Sequence, residues 1–181
     1  MKDIIRMKTS LTEEIENMLN DQVQMEAKSS AIYLAMAAWC DQQGFENSSE
    51  FFFTQADEER GHMLKIFKFI ADMGGQPVSP EVTKIPQEFG GFRDIFENAL
   101  EQEIEVTKAI NKIVSACYKA NDHTTANFLQ WFVNEQMEEE YTARKRVELF
   151  EVIGEEGIGR YMIDQKMPEI IFPAAGEEPA P

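Results

Sequence analysis

Apolar residues recur along this chain at spacings of three and four, the period that gathers them on one helical face, in four long stretches broken by glycine, proline and short polar residues. The first stretch starts at Leu11, where Ser10-Leu11-Thr12-Glu13 has the pattern of a capping box, and runs to about Cys40 before Gln42, Gln43 and Gly44 interrupt it. Asn47, Ser48 and Ser49 offer caps for a second helix, which continues through Phe51, Phe52 and Ile66 to Met73 and ends at Gly74-Gly75. Residues 74–91 hold Pro77, Pro80, Pro86 and Gly90, so they read as a long crossover. A third helix is predicted from about Phe92 to Ala120, a turn at Asn121-Asp122-His123, and a fourth helix from about Thr124 to Val152. A short apolar segment from Tyr161 leaves room for a small fifth helix up to Pro168.

No stretch alternates with the period of a strand, so the expected fold is all-α: a four-helix bundle with a long crossover between its second and third helices and a short C-terminal helix. The expected limits are one domain over 10–167, an N-terminal extension at 1–9 and a flexible tail at 168–181, whose Pro-Ala-Gly-Glu composition has little to bury.

The buried stripes contain residues that do not belong in a core. The first helix reads Leu11, Ile15, Leu19, Gln22, Glu26, Ser29, Tyr33, Ala37, Cys40, and the second Phe52, Ala56, Glu59, His62, Ile66, Phe69, Met73. The third reads Phe96, Leu100, Glu103, Val106, Ile110, Val114, Cys117, and the fourth Leu129, Phe132, Gln136, Glu139, Ala143, Arg146, Phe150. Each stripe carries one carboxylate near its middle. With up-and-down packing and one crossover, Glu26, Glu59, Glu103 and Glu139 fall at one depth, because each residue advances the helix by about 1.5 Å. Four unpaired carboxylates facing one another cost several kcal/mol each or take up protons. His62, three residues after Glu59, is the one stripe residue at that level able to carry positive charge, so the economical partner is a metal cation. Oxygen donors with a single imidazole suit iron or manganese rather than thiolate-type zinc, and redox work favours ferrous iron. Tyr33 reads either as plain core or as a hydrogen-bond donor to a ligand; Trp131 and Tyr141 read as packing residues.

Composition narrows the partners. Lys and Arg number 17 against 33 Asp and Glu, a formal charge of −16, which repels nucleic acid and anionic membranes and attracts cations. Cys40 and Cys117 lack metal-type spacing and read as core residues of a reducing, cytoplasmic compartment. No signal peptide or membrane span is expected.

These motifs resemble the ferritin family, specifically its non-haem bacterial type, over roughly residues 10–165. The resemblance rests on Glu26 in Gln24-Met25-Glu26-Ala27-Lys28-Ser29-Ser30, Tyr33 beyond it, Glu58-Glu59-Arg60-Gly61-His62, Glu103, and Asn127-Phe128-Leu129-Gln130-Trp131-Phe132 leading to Glu135-Gln136-Met137-Glu138-Glu139. Ferritin-like di-iron proteins are themselves the standard example of carboxylate sites inside helical bundles. The resemblance implies that Glu26, Glu59 and His62 hold a first iron, that Glu59 bridges to a second held by Glu103 and Glu139, and that Gln136 lies beside it. It further implies a third, looser iron site from Glu58, Glu135, Glu138 and Glu139. Bacterioferritin and rubrerythrin repeat Glu-x-x-His on the last helix, where this chain has Gln136-x-x-Glu139. Bacterioferritin's haem-ligating Met follows the bridging Glu, where this chain has Arg60, so no haem is expected. Ferroxidase activity with O2 or H2O2, deposition of ferric mineral and a shell of 24 subunits are what the resemblance implies. The alternatives are a di-iron oxygenase or peroxide-scavenging enzyme without storage, for which Tyr33 and Trp131 leave no sign of a substrate pocket, and a metal-free helical interaction module, which requires the acids to be exposed.

Overall fold

The computed structural model describes residues 8–173; the expectations for the N-terminal extension and the tail fall mostly outside them. Five α-helices follow in order: α1 (Glu13–Gln43), α2 (Glu46–Asp72), α3 (Phe92–Ala120), α4 (His123–Ile153) and α5 (Gly159–Lys166), the last continued by a 3₁₀ turn at Met167–Glu169. The irregular crossover occupies 74–91, as the prolines require. No helix among the described residues is long and apolar enough to cross a membrane.

The helix starts differ from expectation in two instructive ways. The cap of α1 is Thr12, whose hydroxyl accepts from the Ile15 amide at 3.3 Å, so Ser10 and Glu13 form no capping box. A start at Thr12 leaves Leu11 just outside the helix, where it is buried in the core beside Ile15. Glu13, Glu14 and Glu16 in the first turn complement the helix dipole. Helix α2 begins earlier than its candidate caps, at Glu46, and its N-cap Phe45 makes no side-chain bond. Its free amides are instead satisfied from α5: Asp164 Oδ1 accepts from the Ser48 amide at 2.9 Å and from the Ser48 hydroxyl at 2.7 Å, while Oδ2 accepts from Asn47. Ser49 turns its hydroxyl back to the Ala37 carbonyl at 3.0 Å. Between α1 and α2 the chain reverses through Gly44, at φ +82°, a left-handed conformation that glycine adopts without cost.

Helices α1 and α2 run antiparallel, shown by contacts of Ser30 with Ala56 and Ser49 with Ala37. So do α3 and α4, shown by Gln136 against Glu103 and Arg93 against Glu151. Between these pairs α2 and α3 run parallel, with Phe52 on Phe96 at one end and Glu59 beside Glu103 further along. The crossover makes this possible by carrying the chain the length of the bundle. It is tied to α1 by amide side chains acting as strand partners: Asn20 bonds Gln76 and Val78, and Gln24 bonds both backbone groups of Glu81.

The core is divided. One apolar cluster gathers Leu19, Val23, Ile66, Ile70, Val106, Ile110, Leu129 and Phe132; the other gathers Met36, Cys40, Phe52, Phe92, Ile95, Phe96, Phe150 and Ile163. Between them lies a belt of buried polar residues that includes Gln22, Glu26, Glu59, His62, Glu103 and Gln136.

Because Asp164 serves four donors at the start of α2, Asp164→Ala leaves buried amides without acceptors. The loss expected is about 2–3 kcal/mol, read as a lower Tm or denaturation midpoint with helical content retained; an unchanged midpoint would show that water caps α2 equally well.

Candidate metal centre

Glu26 projects from α1, Glu59 and His62 from α2 and Glu103 from α3, and all four are buried. One donor atom from each of Glu26, Glu59 and His62 lies within 4.8 Å of the others. The three-residue spacing on α2 stacks Glu59 and His62, with Nδ1 and Oε2 3.6 Å apart. The imidazole is fixed edge-on to Trp131 and Phe132, at 5.4 and 5.9 Å between ring centres. Glu26 Oε1 accepts from Gln22 Nε2 at 2.9 Å, whereas Glu26 Oε2 and Glu59 Oε2 have no hydrogen-bond partner among the described residues.

Glu103 is held from three sides. The Tyr33 hydroxyl donates to its Oε1, Gln136 Nε2 donates to its Oε2 at 3.1 Å, and Gln136 and Thr107 both donate to its backbone carbonyl. Of the two readings of Tyr33, donor to a candidate ligand is the one observed, in a side chain that is also core and stacks on Phe52.

Burial dominates the electrostatics. It pushes Glu26 well above the usual carboxylate range, with Glu59 adding to the effect, and Glu59 likewise rises through burial and the charge of Glu103. Burial also raises Glu103, against the lowering from its Tyr33 and Gln136 hydrogen bonds. Glu139 on α4 is half-buried and is pushed up to about 8 by burial first and then by Glu103 and Glu58. Two buried carboxylate oxygens without partners, beside an imidazole nitrogen, fit a cation that takes hard oxygen donors and one nitrogen.

The predicted layer is therefore incomplete in one respect. Glu26, Glu59 and His62 converge, Glu103 adjoins them with its own hydrogen bonds, and Glu139 is coupled electrostatically but stands half-exposed, outside the converging group. The physical reason is that the central part of α4 borders a cleft. Of about 610 Å³, this cleft is lined by α2, α4 and the chain after α5, and it receives Glu58, Glu135, Glu138 and Glu139 together. Tyr33 and Trp131 gave no sign of an opening, and this one reaches Glu139, while none of Glu26, Glu59, His62 and Glu103 lines it. Trp131 does not close the site: it is 38% exposed, with the Lys65 ammonium 3.4 Å over its ring. Gln22, Thr107 and Arg146 were missed as neighbours of the site. Gln22 and Arg146 stood in the stripes as polar intruders, which was the available signal; Thr107 gave none.

The family model for the ferritin-like domain matches residues 16–153. A probable bacterial non-heme ferritin-like protein of Haemophilus influenzae is 36% identical over 157 residues, covering 87% of this chain and 95% of that one. A bacterial non-heme ferritin of Campylobacter jejuni is 35% identical over 160 residues, covering 88% and 96%. Among solved structures, an open pore ferritin of the hyperthermophilic archaeon Archaeoglobus fulgidus superposes with a TM-score of 0.84 at 35% identity, covering 87% of this chain and 98% of that one.

The raised carboxyls make stability depend on pH in a definite direction. An unfolded carboxyl titrates near 4.3, so between that value and about 8 folded Glu139 binds more protons than its unfolded counterpart. In chelator, stability to urea should fall as pH rises from about 5 to 8, and Glu139→Gln should flatten the slope. A midpoint that climbs with pH across this window would contradict the assignment.

Proposed function

Since this chain belongs to the ferritin family, as the match over residues 16–153 shows, we propose that it takes up ferrous iron, oxidises it at the carboxylate centre and stores the ferric product as mineral. The observation that carries this reading is the pair of unpartnered buried oxygens, Glu26 Oε2 and Glu59 Oε2, facing His62. Iron is the substrate here. Glu26, Glu59 and His62 receive the first ferrous ion; Glu59 bridges to a second at Glu103 and Glu139, with Gln136 alongside. Tyr33 and Gln136 hold Glu103 in place before the metal arrives, which fixes ligand geometry in advance. O2 or H2O2 accepts the electrons, and the metal ions supply the redox chemistry while the protein supplies charge and geometry.

The cleft gives the oxidised iron a way out. Glu58, Glu135 and Glu138, exposed or half-buried along it, form the third and looser site, through which ferric ions pass toward the mineral. Storage needs an enclosure, and the chain is read as one subunit of a 24-subunit shell. Exposed Leu34, Phe53, Leu64, Tyr161 and Met162 supply apolar surface for neighbouring copies to cover.

The same cleft is the one observation that favours a di-iron oxygenase or peroxide-scavenging enzyme acting without storage, since such an enzyme needs room beside the metals. Beside the metal centre its walls carry Glu58, Glu135, Glu138 and Glu139, which suit cation traffic there better than an organic substrate.

Loading the purified protein with increasing ferrous iron under oxygen, while following ferric absorbance and particle mass, separates the readings. Rapid oxidation of about two irons per chain, then continued uptake of several hundred per large particle, is the storage outcome. Saturation at two irons in a small species would instead select the oxygenase. Glu59→Ala is expected to slow the rapid phase about a hundredfold or more; unchanged kinetics would remove Glu59 from the centre.

A further inference from the structure

Arg146 is a buried cation with too few partners. It sits on α4 two turns beyond Glu139, about 10 Å along the axis, and is only 7% exposed. Its guanidinium stacks on the Phe51 ring at 3.9 Å, and Nη2 donates to the Ile170 carbonyl at 3.2 Å. Nε has no partner, and no carboxylate lies within ion-pair distance among the described residues. A guanidinium offers five N–H donors in a planar fork, and among the described residues Arg146 uses one of them. Burial pulls its pKa down to about 10 against the opposing charge of Glu139, Tyr33 and Glu58, none of which pairs with it directly. A charge held this way destabilises the fold unless something pairs with it.

That something has room. Arg146 lines the far end of the cleft that begins at Glu58 and Glu139, and the wall beside it is apolar, made by Phe51, Met167, Pro168 and Phe172. Glu50 lines this stretch too but makes no ion pair with it. We propose that Arg146 is the anchor of an oxyanion site in this cleft, taking inorganic phosphate or a small carboxylate. A planar fork in a low-dielectric pocket pairs two of its N–H groups with two oxygens of either ion, which a point charge cannot do. The binding itself does not depend on iron. What does rest on the function proposed above is the consequence: an anion at Arg146 stands beside the route from Glu139 and can travel with, or ligate, the ferric ions that pass.

The test uses the full-length protein, metal-free and loaded with redox-inert Zn²⁺, titrated calorimetrically with phosphate and separately with acetate and citrate, chloride being the control. Saturable binding of one anion per chain is expected, weakened about tenfold or more in Arg146→Met, the equivalent of losing one or two charge-assisted hydrogen bonds. Arg146→Lys, which keeps the charge and loses the fork, should also bind more weakly than the parent. Tight phosphate with no carboxylate binding identifies the inorganic ion as ligand, and the converse identifies an organic acid. Absence of saturable binding in the parent, or equal binding in Arg146→Met, would overturn the proposal and leave Arg146 as a latch on Ile170. Because Zn²⁺-loaded and metal-free protein are read without oxidation, failure of the anion site leaves the ferroxidase reading untouched, and failed iron oxidation leaves the anion titration interpretable.

Discussion

Three carboxylates buried between two apolar clusters set the terms for the rest of this structure. Glu26, Glu59 and Glu103 come from three helices, and His62 is the imidazole among them. Left ionised and unpaired, each would cost several kcal/mol. Burial is the first cause raising each of them above the usual carboxylate range, so the proton-bound form is favoured. A divalent cation reverses the arrangement by replacing protons with a charge that all the oxygens can share. The two halves of the core, rich in aromatic and branched side chains, are what make this possible, since they hold the four long helices rigidly around a belt that contributes little cohesion of its own.

The polar supports follow the same logic. Gln22 fixes one oxygen of Glu26 and leaves the other unpartnered, and Tyr33 and Gln136 occupy one oxygen each of Glu103. Glu59 lacks such a support on Oε2. Hydrogen bonds are thus distributed so that the carboxylates are oriented without all being consumed.

Much of this was legible in the sequence because a buried helical stripe is periodic, and a carboxylate within it stands out. Glu26, Glu59, His62 and Glu103 were found that way, and Phe92–Ala120 falls at the limits its pattern predicts. Non-local features were not legible. The cap of α2 comes from Asp164, 116 residues from Ser48, and no local pattern around Asn47 reveals that. At α1 the capping hydroxyl is that of Thr12 rather than Ser10, and Leu11 between them is buried in the core, a tertiary contact that the local pattern does not show. Glu139 shared the stripe of α4 yet is half-exposed, because periodicity gives the direction a residue faces but not whether another helix or a cleft meets it there.

Arg146 shows what the stripe argument still held in reserve. It was as anomalous as the glutamates, a charged residue in the row between Ala143 and Phe150, and it feels the charge of Glu139 and Glu58 without forming an ion pair with either. Two turns of separation give it a different environment: an aromatic face, one carbonyl and the end of a cleft. The cleft therefore carries both signs of charge, with Glu58, Glu135, Glu138 and Glu139 on one part of its wall and the Arg146 guanidinium, near Glu50, on another. A cation in this cleft is drawn to the acids and repelled by Arg146.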